Sequence, residues 1–389
     1  MTEITQIKES AEKHFEKTLN LLEVLVNTNS GSYNIKGNNI VLNLISDKLT
    51  GLGFRSDIKS GSDNRSYLLA SNVPDDEDAY LILGHLDTVF SPDSGFDKFT
   101  RVNSSTITGP GVIDMKGGIV VFYLAMKILH DLKFLSKIPI RIIFNTDEEI
   151  GSYSVRELFK SIQAQVLGVF NFEGARESGA LVTARKGVGD FKVVVHGKSA
   201  HAGSHFTEGS NAIIALSDKV LKISKITNLE KGITVTPGII KGGTRTNVIP
   251  DYAEVDIDIR VCDNRDIASI EEQLTDIIKE EFVPGTSCEL IGSFSRPSLK
   301  KTEKIEKTFQ YFKKSASELY NIELTAESTG GGSDSNFFGD LDILMIDGLG
   351  PVGGNDHTTD EYIELETIKQ RAAIFSLTLI SIDNDRSQE

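Results

Sequence analysis

Five polar clusters each stand directly after an apolar, strand-like run. Tyr80-Leu-Ile-Leu-Gly84 leads into His85-Leu86-Asp87, and Gly109-Pro-Gly-Val-Ile113 into Asp114-Met115-Lys116-Gly117-Gly118. Residues 138–144 lead into Asn145-Thr146-Asp147-Glu148-Glu149, residues 166–172 into Glu173, and residues 343–346 into Asp347 and then His357. Ligands of α/β sheets bind beyond the carboxyl ends of the strands, so these side chains are expected to converge there. Carboxylates and imidazoles brought together need a counter-charge. Two Zn²⁺ held by Asp, Glu, Glu, His and His match zinc's preference for nitrogen and oxygen donors. Four positive charges against three negative ones leave a site that attracts hydroxide and an anionic substrate.

Taken singly, each cluster has a plainer reading. His85 fits a satisfied structural histidine, Asp87 a turn cap, and Asp147-Glu148-Glu149 the first turn of a helix, where acids favour the dipole. Gly117-Gly118 fits close helix–sheet packing, and His196 the end of a strand. Two phosphate-binding patterns fail. Gly197-Lys198-Ser199 lacks the upstream glycine of a P-loop, because position 192 is Lys, and Gly348-x-Gly350-x-x-Gly353 follows a strand but opens no helix. HExxH and GxSxG are absent.

The elements that must position these groups read as an α/β layer architecture. Ile4, Ile7, Ala11, Phe15, Leu19, Leu22 and Val26 recur at helical spacing over residues 3–27. Strands are expected at 67–70, 80–83, 138–144 and 166–172, and helices at 116–132 and 155–162. From residue 187 the texture changes to strand 188–195, helix 211–224, strands 233–240 and 252–261, helix 267–280 and strand 288–291. That β-α-β-β-α-β order is the pattern of a ferredoxin-like unit. After Pro297 the first texture resumes, with helices at 305–319 and 363–380 and strands at 323–326 and 343–346. The expected organisation is therefore one domain of residues 1–186 and 298–389, with a smaller domain, 187–297, inserted into it.

Composition narrows the class of protein. The 389 residues are 39% hydrophobic and 25% charged, an ordinary globular balance. With Lys+Arg 41 against Asp+Glu 56, the formal net charge is −15. Such a chain repels phosphate backbones, which argues against nucleic acid or an anionic membrane as partner. The longest apolar run, 119–126, is far short of the ~18 residues of a membrane span, and MTEITQIKES has no apolar leader. Cys262 and Cys288 are the only cysteines, too few for a disulfide framework. A soluble cytoplasmic protein is expected.

Together these stretches make the sequence resemble the dinuclear zinc exopeptidase and deacylase family, which includes glutamate carboxypeptidase, aminoacylase, acetylornithine deacetylase, succinyl-diaminopimelate desuccinylase and peptidase T. The resemblance runs nearly the full length through GHLDTV (84–89), GPGVIDMKGG (109–118), FNTDEEIGS (144–152), FNFEG (170–174), GKSAHAG (197–203), TRTNVIP (244–250), DIR (258–260), TGGGSD (329–334) and HTTDEY (357–362). It implies that His85, Asp114 and Glu173 hold one zinc and Asp114, Glu149 and His357 the other. Co²⁺ or Mn²⁺ are the alternative metals. It further implies Glu148 as general base, Asp87 as the group orienting His85, and a cis peptide between Asp114 and Met115. The inserted domain is implied to be a lid that pairs with its copy in a homodimer. Its His201 would stabilise the oxyanion in the partner's site, while Asn247, Arg260 and Arg296 bind the substrate's carboxylate end. Read from the residues alone, His201 is better taken as a surface-loop histidine, and Arg260 equally as the exposed face of a strand.

The implied reaction is hydrolysis of an amide beside a free carboxylate, releasing a C-terminal amino acid from a small peptide or conjugate. The alternatives are a deacylase of N-acyl amino acids and, more remotely, a non-catalytic binding protein. Where glutamate carboxypeptidase has lysine and serine, this chain has Ala180 and Val182, which argues against strict selection of glutamate.

Overall fold

The computed structural model describes residues 2–388. By its internal contacts the chain forms two compact units, Met1–Ala184 with Lys301–Ser328 and Ser333–Glu389, and Arg185–Lys300 with Thr329–Gly332.

The first unit is built on a six-stranded mixed sheet. Its order is Arg55–Ser60, Ser66–Ser71, Ile140–Asn145, Ala79–His85, Val166–Asn171 and Leu344–Ile346. The last four run parallel, and the first two join as an antiparallel edge. Every residue of Ala79–His85 and Ile140–Asn145 is buried. This explains why both read as continuous apolar runs, since a parallel strand is covered on both faces. The helix Lys116–Asp131 packs against the helices Glu3–Asn27 and Leu365–Arg386 over one face. Nearly all its first ten residues are buried.

Two glycines set how closely that helix starts against the sheet. A Cβ on Gly118 would lie 1.7 Å from the Phe172 carbonyl oxygen, and one on Gly117 would lie 2.1 Å from that of Val112. The first turn of the helix therefore sits directly on the chain leaving the strand Val166–Asn171. This brings Asp114 beside Glu173. The Asp114–Met115 peptide is cis.

The second unit has an antiparallel sheet in the order Thr234–Gly242, Tyr252–Val261, Gly187–His196 and Ser287–Arg296. The helices Ala212–Ser224 and Ile267–Lys279 join its strands. Alternate residues of the central strands, Phe191, Val193 and Val195 with Ala253, Val255, Ile257 and Ile259, form a separate core with Leu216, Ile270 and Leu274 of those helices. Chain order and sheet order are those of a ferredoxin-like unit.

Some expected elements move. The strand expected at 323–326 is found at Ala326–Thr329. The preceding helix ends with Asn321 in the left-handed region at φ 53°, and Leu324 is buried in irregular chain before pairing begins. The helix expected from 363 starts at Leu365, because Tyr362–Glu364 is a strand paired with Thr106–Thr108. The strand expected at 288–291 extends over Ser287–Arg296. The helix Ile35–Thr50, capped by the Asn34 side chain, was not anticipated.

The Gly118 contact generates a direct test. Gly118→Ala forces backbone apart at the start of a buried helix, and is expected to lower unfolding free energy by about 3 kcal/mol, the upper range for overpacking. A urea midpoint within error of the parent protein would show that the helix can slide without cost.

Candidate metal centre

His85 closes a strand and is fully buried. Its Nε2 lies 2.9 Å from Asp114 Oδ1 and 3.6 Å from Glu173 Oε1. His357, in a loop at φ 63°, places its Nε2 3.1 Å from Asp114 Oδ2 and 3.1 Å from Glu149 Oε2. Each oxygen of Asp114 thus faces a different imidazole, and each imidazole faces a second carboxylate. Donors bound to zinc at about 2.0–2.1 Å in a tetrahedron stand roughly 3.4 Å apart, and these spacings suit two such sets sharing Asp114. Another grouping is also within reach of a cation, Asp114 with His357 and the exposed Asp356. We favour Glu149 over Asp356 because Glu149 is buried and touches His357, and because its Oε1 is buried without a hydrogen-bond partner. An orphaned carboxylate oxygen in a buried cluster fits a cation.

The residues around this cluster hold it rigid. Asp87 is fully buried, and its Oδ1 stands 3.2 Å from His85 Nδ1, on the ring edge opposite Asp114. The same carboxylate accepts the backbone N–H of Glu148 (3.2 Å) and of Glu149 (3.3 Å) and the Ser32 hydroxyl (2.8 Å). One side chain therefore fixes both the first imidazole and the turn that carries the acid pair. That turn is a short 3₁₀ helix, Glu148–Ile150, closed by Gly151 at φ 113°. The pair is therefore not extended, and the turn lets Glu149 reach His357. Glu361 clamps the loop before Asp114. Its carboxylate accepts from the backbone of Gly111 (2.9 Å), Ile113 (2.8 Å) and Asp114 (3.1 Å).

Electrostatics reflect the crowding. Burial opposes charge on His85, yet Glu173, Asp114 and Asp87 hold its pKa well above the usual range. Hydrogen bonds that the His357 imidazole donates to Asp114 and Glu149 raise it to about 11. Burial, then the charge of Asp114, pushes Glu149 up to about 8. Burial would raise Asp114, but the two imidazoles outweigh it and hold its carboxyl low. A metal held by these side chains would meet neutral imidazoles, since ligating imidazoles must be deprotonated at the binding nitrogen.

The remaining expected site residues belong to the second unit. His201 and Asn247 sit together on a ribbon, Ala200–His201 paired with Val248–Ile249, where the Asn247 carbonyl accepts from Ala202 N–H (3.0 Å). His201 Nδ1 accepts from the backbone of Gly203 (3.1 Å) and Ser204 (3.2 Å), so its proton is on Nε2 and exposed. Strand register sets Arg260 and Arg296 on either side of Val188. Arg260 pairs with Asp258 at 2.7 Å and donates to the Gly330 carbonyl at 3.4 Å, and Arg296 is buried. Asp347 is no ligand candidate. It is buried among Ser333, Asn171 and the Gly348 N–H, at 2.6, 3.1 and 2.5 Å. Sequence reasoning missed Ser32, Glu361 and Asp356. The first two act through the backbone and through Asp87, which residue type and spacing do not reveal.

Comparison with known proteins agrees with the geometry. The profile of peptidase family M20/M25/M40 matches residues 81–381. Carboxypeptidase G2 of Pseudomonas sp. (strain RS-16) is 28% identical over 367 residues, 90% of this chain and 85% of that protein. A tripeptidase of Staphylococcus aureus superposes with a TM-score of 0.77 at 22% identity, covering 94% of this chain and 98% of that one. An M20 family metallo-carboxypeptidase of Sulfolobus solfataricus superposes at 0.75 and 18% identity, covering 93% and 99%. At these identities the two structures speak to the fold.

Glu361→Gln tests the clamp. An amide cannot accept all three backbone N–H groups, so the loop should loosen around Asp114. Groups that orient ligands typically change metal affinity 10–100-fold. Chelator competition should therefore find metal affinity at least tenfold weaker than in the parent, with the fold retained. Unchanged retention would mean that Glu361 only braces the loop.

Proposed function

The chain belongs to peptidase family M20/M25/M40, and on that premise we propose that it is a dinuclear metal-dependent exopeptidase. It releases a C-terminal amino acid from a small peptide or amino-acid conjugate. The observation that carries this reading is Asp114, whose two oxygens face His85 and His357 separately, each imidazole meeting a second acid. In this reading His85, Asp114 and Glu173 hold one Zn²⁺, and Asp114, Glu149 and His357 the other. Two metals supply a water of lowered proton affinity and a charge against which an amide carbonyl is polarised.

The chain's own residues do the rest. Glu148, free of the ligand set, takes the proton of the attacking water and delivers it to the departing amine. Asp87 holds the tautomer of His85 that leaves Nε2 to the metal and keeps Glu148 in place through its backbone N–H. Nε2–H of His201 is suited to donate to the developing oxyanion, and Asn247, Arg260 and Arg296 to receive the substrate carboxylate. Ala180 and Val182 are buried and apolar, which supports a preference broader than glutamate. His201 would serve the partner's site in a homodimer formed through the second unit. That unit leaves Ile213, Ile214, Ile239 and Ile240 exposed.

Among the described residues no helix is long and apolar enough to cross a membrane.

A panel of dipeptides and N-acyl amino acids scored by kcat/KM, run on the parent and on Glu148→Gln, tests the reaction. The parent should prefer peptides. Glu148→Gln should keep its metals and lose ~10²–10⁴ in kcat, whereas Glu149→Gln should lose one metal. Preference for N-acyl amino acids would move the assignment to deacylase, and near-parental kcat in Glu148→Gln would remove Glu148 as base.

Subunit mixing tests the dimer. Loss of one oxyanion donor typically costs ~10²–10³ in kcat, so Glu148→Gln and His201→Ala proteins are each expected to be nearly inactive. Exchanged together, they should regain part of the parental rate, because one site per mixed dimer is complete. No recovery in demonstrated heterodimers means that His201 does not act across the dimer.

A further inference from the structure

The helix Leu365–Arg386 turns Thr367, Gln370, Arg371 and Ile374 toward a cavity of about 240 Å³ in the first unit. This is smaller than the ~300 Å³ at which sites for drug-sized ligands begin. Arg371 is 6% exposed, and its Nη2 donates to the Gly179 carbonyl. Among the described residues no carboxylate lies within 4 Å of its guanidinium, and Gly179 is its one hydrogen-bond acceptor. Burial lowers its pKa only to about 10, so the charge persists at neutral pH. A buried charge without a partner is costly, and this one has free donors facing a cavity.

The lining also carries the other sign. Glu177, Glu323 and Glu364 line the cavity, are exposed, and take part in no ion pair among the described residues. Ile322, Leu324 and Val352 add apolar surface to the lining. A dianion such as phosphate would meet three glutamates, and a simple cation would meet Arg371. A molecule carrying a carboxylate, an ammonium and a short apolar group satisfies all three surfaces at once.

We propose that this cavity binds a free α-amino acid with an apolar side chain, its carboxylate on Arg371 and its ammonium toward the glutamates. The site is built from different side chains than the metal cluster, so it stands or falls independently of the peptidase reading. The segments lining it, 177–179 and Val352, continue those that carry Glu173 and His357, so an occupant would brace both.

Titration calorimetry of the full chain with L-leucine tests this, with 4-methylpentanoate lacking the ammonium and leucinamide lacking the carboxylate. Leucine should bind at least tenfold tighter than either control. Arg371→Met should weaken leucine at least tenfold, yet unfold, without ligand, at a temperature no lower than the parent, because an apolar isostere removes an uncompensated charge. Leucine held at the metal cluster would bind parent and variant alike, so equal isotherms overturn the proposal. So does a Tm drop of several degrees in a folded Arg371→Met variant, which marks Arg371 as a structural tie to Gly179. Should Arg371→Met fail to fold, Glu177→Lys at an exposed position is expected to weaken leucine at least fivefold, and an unchanged affinity overturns the proposal.

Discussion

The first unit concentrates carboxylates at one end of its sheet, and the rest of the site follows from keeping them there. Asp87, Asp114, Glu148, Glu149, Glu173 and Glu361 meet in a volume where water no longer screens them. Like charges in a low dielectric repel strongly. Three devices offset this. Fixed N–H groups hold Asp87 and Glu361, from the turn at 148–149 and the loop at 111–114. Imidazoles hold both oxygens of Asp114. What neither reaches is Oε1 of Glu149, a buried oxygen without a hydrogen-bond partner that a cation placed between the side chains would satisfy. Family membership and local electrostatics thus point to the same feature from independent starting points.

Much of this arrangement is legible in the sequence because His85, Glu149 and Glu173 close or follow buried parallel strands, which are easy to recognise, whereas residues 109–113 before Asp114 form turns and not the strand-like run expected there. What the sequence hides is contact made through the backbone. Glu361 lies 247 residues from the Asp114 N–H it accepts, and although it falls within the HTTDEY stretch, nothing in that stretch reveals this contact. The choice between Glu148 and Glu149 is hidden for another reason. An extended chain would send the two to opposite faces, whereas Gly151 at φ 113° closes a 3₁₀ turn. The misplaced strand near 323 fails similarly, since a left-handed Asn321 delays pairing by three residues.

The inserted unit is economical in chain geometry. Its first and last segments are joined to each other, with Arg185 N–H donating to the Leu299 carbonyl at 2.8 Å and Leu299 N–H to that of Arg185 at 2.9 Å. Ends this close let a whole unit enter a loop of the first without spreading it, the geometry in which insertion is tolerated. A separate core of its own then lets it fold on its own contacts.

Two buried cations show how the same interior treats different side chains. Lys116 is fully buried, donates to the Thr28 carbonyl at 3.1 Å, and is lowered by burial to about 7, despite the opposing pull of Glu361 and Asp87. An ammonium can thus shed its proton near neutrality, and no ion needs to accompany it. A guanidinium holds its proton more tightly by several orders of magnitude. Burial brings Arg371 only to about 10, so the charge stays and the surroundings must answer it. At Lys116 the protein can answer by neutralisation. At Arg371 it offers one carbonyl and a cavity whose lining also includes Glu177, Glu323 and Glu364, so the charge is left for a bound group to answer if any does.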